Sequence, residues 1–157
     1  MSGKKNENRC KEIRNSKAFH EYVILEKLEA GLVLQGTEVK SIRNGKAQIN
    51  DAFVRFERAQ PVLFNAHIDE YTFGNINNHA TKRARKLLLR KRQIQQLKTC
   101  IEAEGQTVIP LKFYFKEGLI KVELAICKGK KLYDKREDLK RKTILREADR
   151  YITKRYR

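Results

Sequence analysis

The chain has 157 residues, with 36 Lys/Arg against 19 Asp/Glu and a net charge of +17. That length suits one ordinary domain plus tails, and a charge so far from zero argues for a polyanionic partner: RNA, DNA or an anionic membrane. No stretch approaches the roughly 18 consecutive apolar residues of a membrane span, and "MSGKKNENRCKEIRNSK" has no apolar core of a secretory signal, so a cytoplasmic place is expected.

Residues 1–17 are polar and basic and read as a flexible terminus. "HEYVILEKLEAGLVLQG" reads as strand, turn and strand, broken at Gly31 and Gly36. "TEVKSIRNG" predicts a short helix with Thr37 as N-cap and Gly45 as its stop. "DAFVRFERAQPVLFNAHI" gives two strands around a turn that ends at Pro61, and the Asn-rich loop "TFGNINNHATKR" follows. From Arg83 to Ala103 the apolar positions Leu87, Ile94, Leu97 and Ile101 recur at helical spacing, which predicts one longer helix stopped by Gly105.

In "TVIPLKFYFKEGLIKVELAIC", apolar residues alternate on both sides of Glu117-Gly118, the pattern of a hairpin with one buried face. Pro110 lacks an amide donor and marks an edge or a bulge there. About six short antiparallel strands within 18–127 must close or stack. A small closed barrel of OB type with flanking helices fits best, and a β-sandwich is the second choice.

The last zone, 128–157, holds 13 Lys/Arg against 5 Asp/Glu. Asp134 as N-cap with Glu137 three residues on would start a helix. Leu145, Ala148 and Ile152 make only a thin apolar stripe, so the tail is expected to be disordered when free and to become helical in a groove of phosphates.

Cys10, Cys100 and Cys127 are far apart and His20, His67 and His79 isolated, so neither a metal site, a disulfide nor a catalytic pair is indicated; a small ribonuclease would need an acid–base pair. The block Thr81–Lys98 is different. It carries eight Lys/Arg and no acid, and on a helix Arg85, Lys86, Arg90 and Arg92 would point to solvent. A solvated basic face is the plain interpretation. Leu87, Leu88 and Leu89 span 200° of a helix, too wide for one core-facing stripe, so one of them should be exposed among cations. Such a leucine suits packing on an unstacked RNA base. Glu29, before a turn glycine, and Glu38 either pair with nearby cations or accept hydrogen bonds from RNA.

The run "EAGLVLQGTEVKSIRNGKAQINDAFV", "NAHIDEY", "RKLLL" and "GKKLYDKR", with the basic tail, resembles the bacterial SsrA-binding protein (small protein B) family. The resemblance implies a six-stranded OB-like barrel with flanking helices, which binds transfer-messenger RNA (tmRNA) and brings it to stalled ribosomes in trans-translation. With no acid–base pair in the sequence, neither catalysis nor a cofactor is expected. By position it places Glu29, Leu88 and Arg90 in the surface that grips the tRNA-like domain of tmRNA, with His20, Tyr22 and Lys40 as weaker candidates beside the cations Arg85 and Lys86. Arg90 stands where the family usually has His or Asn, and it can likewise hydrogen-bond or stack on a base.

By the same resemblance Gly129, Lys130, Lys131, Tyr133, Asp134, Lys135 and Arg136 enter the decoding site of the small ribosomal subunit, and the tail beyond them enters the empty mRNA channel. A monomer is expected, and EF-Tu with aminoacylated tmRNA is a further partner that the family implies. A generic ribosomal or single-strand-binding OB module is the alternative. A membrane-surface role for the tail is disfavoured by its lack of Trp and Phe.

Overall fold

The computed structural model describes residues 11–74, 78–103 and 105–155, apart from the side chains of Leu132 and Tyr133. Strand pairing begins at β1 (Ile13–Arg14), inside the segment read as a flexible terminus, because β1 lies antiparallel to a later strand. Next to it Asn15 is buried. Its Oδ1 accepts from the backbone N–H groups of Lys17 and Ala18, 3.1 Å each, and this nucleates the single turn α1 (Ala18–Glu21). No break occurs at Gly31: β2 (Tyr22–Leu32) is one continuous eleven-residue strand.

α2 (Gly36–Arg43) starts earlier than Thr37. The Glu38 carboxylate accepts from the Gln35 N–H at 2.8 Å, so Gln35 caps the helix, while Gly45 supplies the left-handed exit at φ +72°. The strands β3 (Ala47–Gln48), β4 (Phe53–Glu57), β5 (Gln60–Phe64) and β6 (His67–Ile68) follow. Arg58 and Ala59, both at positive φ, form the β4–β5 turn with the primed twist hairpins favour.

The expected helix from Arg83 to Ala103 divides in two. Its first part is the strand β7 (Arg85–Leu88) and its second is α3 (Lys91–Glu102), whose Leu97 is fully buried against the core. The predicted hairpin is present as β8 (Gln106–Lys116) and β9 (Leu119–Gly129), turning at Glu117-Gly118, with a register shift between Pro110 and Lys112. α4 (Leu132–Arg155) completes the chain. It begins before Asp134, which lies in the first turn and not at the N-cap, a place where a carboxylate still favours the helix dipole.

Seven strands form one sheet in the order β1-β8-β9-β2-β7-β5-β4, and β3 pairs with β6 separately. The protein is therefore mainly β with helices. The sheet is not closed into a barrel: β4 lies against β8 without a hydrogen-bonded ladder among the described residues. The main apolar core runs from Ile13 to Ile126 and includes Val54, Leu63, Phe113 and Leu124, and a smaller cluster joins Ala18, Ile109, Leu111, Ala125 and Cys127. Among the described residues, no helix is long and apolar enough to cross a membrane.

Candidate nucleic-acid interface

β7 places the basic block, and its alternation decides which residues are available. Arg85 and Leu87 point inward, while Lys86 and Leu88 point outward. Leu88 is 58% exposed and Leu87 only 5%, so the exposed leucine expected among cations is Leu88, presented by a strand and not by a helix. Arg85 corrects the expectation that it faces solvent. It is fully buried, its Nε donates to Glu38 Oε1 at 2.8 Å, and its terminal nitrogens donate to the carbonyls of Ala66 and Thr81.

Glu38 is equally buried and is clamped from the other side by Arg83 Nη2 at 2.7 Å. Burial alone would raise the Glu38 pKa. The Arg83 hydrogen bond, the Gln35 N–H and the Arg85 charge outweigh it and hold the carboxyl below the ordinary carboxylate range. Of the two glutamates singled out in the sequence, Glu38 thus belongs to the framework.

Glu29 belongs to the surface. β2 and β7 pair Gly31 with Leu88, and a side chain at Gly31 would meet the Leu88 Cβ at 3.2 Å. Beside this close approach lies a shallow pocket of about 430 Å³, lined by Glu29, Gly31, Leu88, Arg90, Gln93 and Lys121 among others. Glu29, Leu88 and Arg90, separated by up to 61 positions in sequence, therefore converge. Arg90 is held because Gln93 at the start of α3 accepts its backbone N–H at 3.1 Å, which leaves the exposed guanidinium free to reach outward. Lys86 projects on the same strand face as Leu88. The pocket joins an apolar contact, an acceptor and several cations, a combination able to grip an unstacked base and its flanking phosphates.

The remaining sequence candidates lie elsewhere. Tyr22 pairs with Gly129 at the opposite end of β2, seven residues from Glu29, and His20 precedes it on α1. Burial raises the Tyr22 phenol pKa, aided by Cys127. Lys130 is engaged within the chain: its backbone N–H donates to Glu21 O at 2.8 Å, and its Nζ bonds Phe19 O at 2.9 Å and Asp138. Lys131 and Arg136 are exposed, and Asp134 and Lys135 half-buried. The Tyr133 side chain lies outside the described residues. Lys40 is in a third place, its Nζ 5.2 Å from the centre of the Tyr71 ring. His79 ties the loop to the body: Nε2 donates to Ile68 O at 3.0 Å and Nδ1 shares a hydrogen bond with the Thr37 hydroxyl. Burial pushes the Cys127 thiol up to about 12, which makes it an inert core residue. Sequence reading missed Lys121 and Gln93, whose polar character fitted any solvent-facing position.

A strongly basic β domain with an exposed leucine set between a carboxylate and an arginine defines a nucleic-acid-binding module. The model of the family described as SmpB protein matches residues 12–154, and the chain belongs to that family. It is 54% identical over 134 residues to the SsrA-binding protein of Geotalea uraniireducens, covering 85% of this chain and 89% of the relative. With the SsrA-binding protein of Enterococcus hirae the identity is 52% over 139 residues, 88% and 90% of the two chains. A solved structure described as "tmRNA-SmpB: a journey to the center of the bacterial ribosome" matches with TM-score 0.66 and 44% identity, covering 77% of this chain and 85% of that one.

Proposed function

We propose that this protein is an RNA-binding adaptor of trans-translation: it grips the tRNA-like domain of tmRNA and delivers it to stalled ribosomes. The convergence of Glu29, Leu88 and Arg90 on one surface pocket, in a chain similar to SsrA-binding proteins along most of its length, is the observation that carries this reading. Leu88 packs on an unstacked base, Arg90 and Lys86 hold phosphates, and Glu29 accepts from a 2′-hydroxyl or a base amino group. Gly129, Lys130 and the start of α4 face the ribosome, while His20 and Tyr22, which lie beside them, are the weaker tmRNA contacts. Beyond it, α4 lies along the mRNA channel when that channel is empty.

The test is tmRNA binding at several salt concentrations, with an unrelated tRNA and a single-stranded RNA as competitors. Log affinity should fall steeply with log salt, because cations on the protein displace counterions from the RNA, and tmRNA should outcompete both other RNAs. Equal affinity for all three would favour the generic RNA-binding module instead.

Leu88→Ala separates recognition from folding. Its exposure predicts an almost unchanged melting temperature and tmRNA binding weaker by about 1–3 kcal/mol, the scale of one base contact. A core leucine would instead lose about 2–5 kcal/mol of folding stability. Melting beside a binding titration distinguishes the two, and a destabilised variant of normal affinity would remove Leu88 from the interface.

A further inference from the structure

The pocket continues into a part of the sheet that no sequence motif marks. The registers pair Tyr114 of β8 with Lys121 of β9, Lys121 with Gly31 of β2, and Gly31 with Leu88 of β7. Directly paired residues share a face, so these four positions form one row across the outer side of the sheet. The adjoining row is Lys112, Glu123 and Glu29. Across the intervening strand, the Tyr114 hydroxyl donates to Glu29 Oε2, and Lys116 Nζ lies 3.2 Å from both Glu29 oxygens. Lys112 Nζ in turn stands 5.2 Å from the centre of the Tyr114 ring.

These contacts change what an exposed glutamate can do on an RNA-binding surface. A bare carboxylate would repel phosphates and sample many rotamers. Here Lys116 offsets its charge, and the phenol fixes its orientation. A carboxylate has about four lone-pair sites, so two such donors leave acceptor capacity. The remaining sites border the pocket of Leu88 and Arg90.

We infer that Tyr114 is a positioning residue for RNA recognition: its hydroxyl aims the Glu29 carboxylate at a donor group of RNA bound in the Leu88 pocket. This rests on the reading of Glu29 as an RNA contact. Tyr114 touches no RNA in this account and acts through Glu29 alone. The Tyr114 hydrogen bond, followed by that from Lys116, holds Glu29 below the ordinary carboxylate pKa. Lys121 and Glu123 of β9, Lys112 of β8 and Arg90 beside α3 are the other charges around it. Each remains in the Tyr114→Phe variant.

The experiment is a double-mutant cycle in the full-length protein, titrating tmRNA with wild type, Tyr114→Phe, Glu29→Gln and the double variant from neutral pH into the carboxylate range. Each single change should weaken binding about tenfold, and the double variant should bind no worse than Glu29→Gln. Melting temperature should be unchanged in Tyr114→Phe. With its main donor removed, the Glu29 pKa rises, so affinity should be lost on acidification at a higher pH than in wild type. Additive losses, or an unshifted acid limb, would overturn the inference. If Glu29→Gln is weakened while Tyr114→Phe binds and titrates like wild type, the inference alone falls. If Glu29→Gln itself binds normally, Glu29 is no RNA contact and both readings fall.

Discussion

A chain ending after Asp138 is expected to fold, to hold tmRNA within about tenfold of full-length affinity, and to lose ribosome rescue by about a hundredfold or more. The cut keeps the contacts of Lys130 with Phe19 O and Asp138 and removes a stretch exposed along its described length, so stability should change by less than about 0.5 kcal/mol. The deleted residues carry eight Lys/Arg and two acids, an electrostatic footprint suited to a channel lined by phosphates. The pocket on β2 and β7 stays intact. Rescue measured on ribosomes halted at the end of a truncated message, beside a tmRNA titration, decides the matter. Parallel losses of binding and rescue would show that the tail belongs to the tmRNA grip.

Glu38→Ala should lower stability by about 3–5 kcal/mol, because it leaves the buried Arg85 charge without a counter-ion. Against a typical domain stability of about 5–15 kcal/mol this would lower the urea midpoint sharply. pH supplies a second readout. The folded-state pKa of Glu38 is depressed, so its stabilisation is fully present above the unfolded carboxylate value and is lost as pH falls through the folded one. Wild type should lose stability over that acid window, and Glu38→Gln should show a flatter dependence. A loss under about 1 kcal/mol in the Ala variant would mean that Arg85 is satisfied by the carbonyls of Ala66 and Thr81 alone.

That same ion pair explains why β7 was unreadable as a strand. Alternation in "RKLL" is real, but its inward members are an arginine and a leucine and its outward members a lysine and a leucine, so hydropathy shows no period of two. Three leucines in a row then blend into the helical pattern of α3. Where inward positions are apolar, as at Ile120, Val122, Leu124 and Ile126, the hairpin is legible from the chain alone. Gly31 misled for a different reason. It reads as a break, yet it sits inside β2 because Leu88 occupies the space of its missing side chain.

Within the candidate site, the exposure of Leu88 was legible from charge and apolar crowding, while Glu29 and Arg90 entered through family motifs. Tyr114 and Lys116 were not, since their partnership with Glu29 spans more than eighty residues of chain and depends on strand register.

At about 1.5 Å per residue, the 24 residues of α4 extend for roughly 36 Å, about the diameter of the domain itself. Charges at its far end thus stand several Debye lengths from its start, given a screening length of about 8–10 Å in physiological salt. Electrically the molecule is two bodies in series, a basic slab and a basic rod. A polyanion on the slab therefore contributes little field at the far end of the rod, so the salt sensitivities of binding at the two should be separable. A molecule of this form can carry a polyanion on the slab and leave the tip of the rod attractive to another.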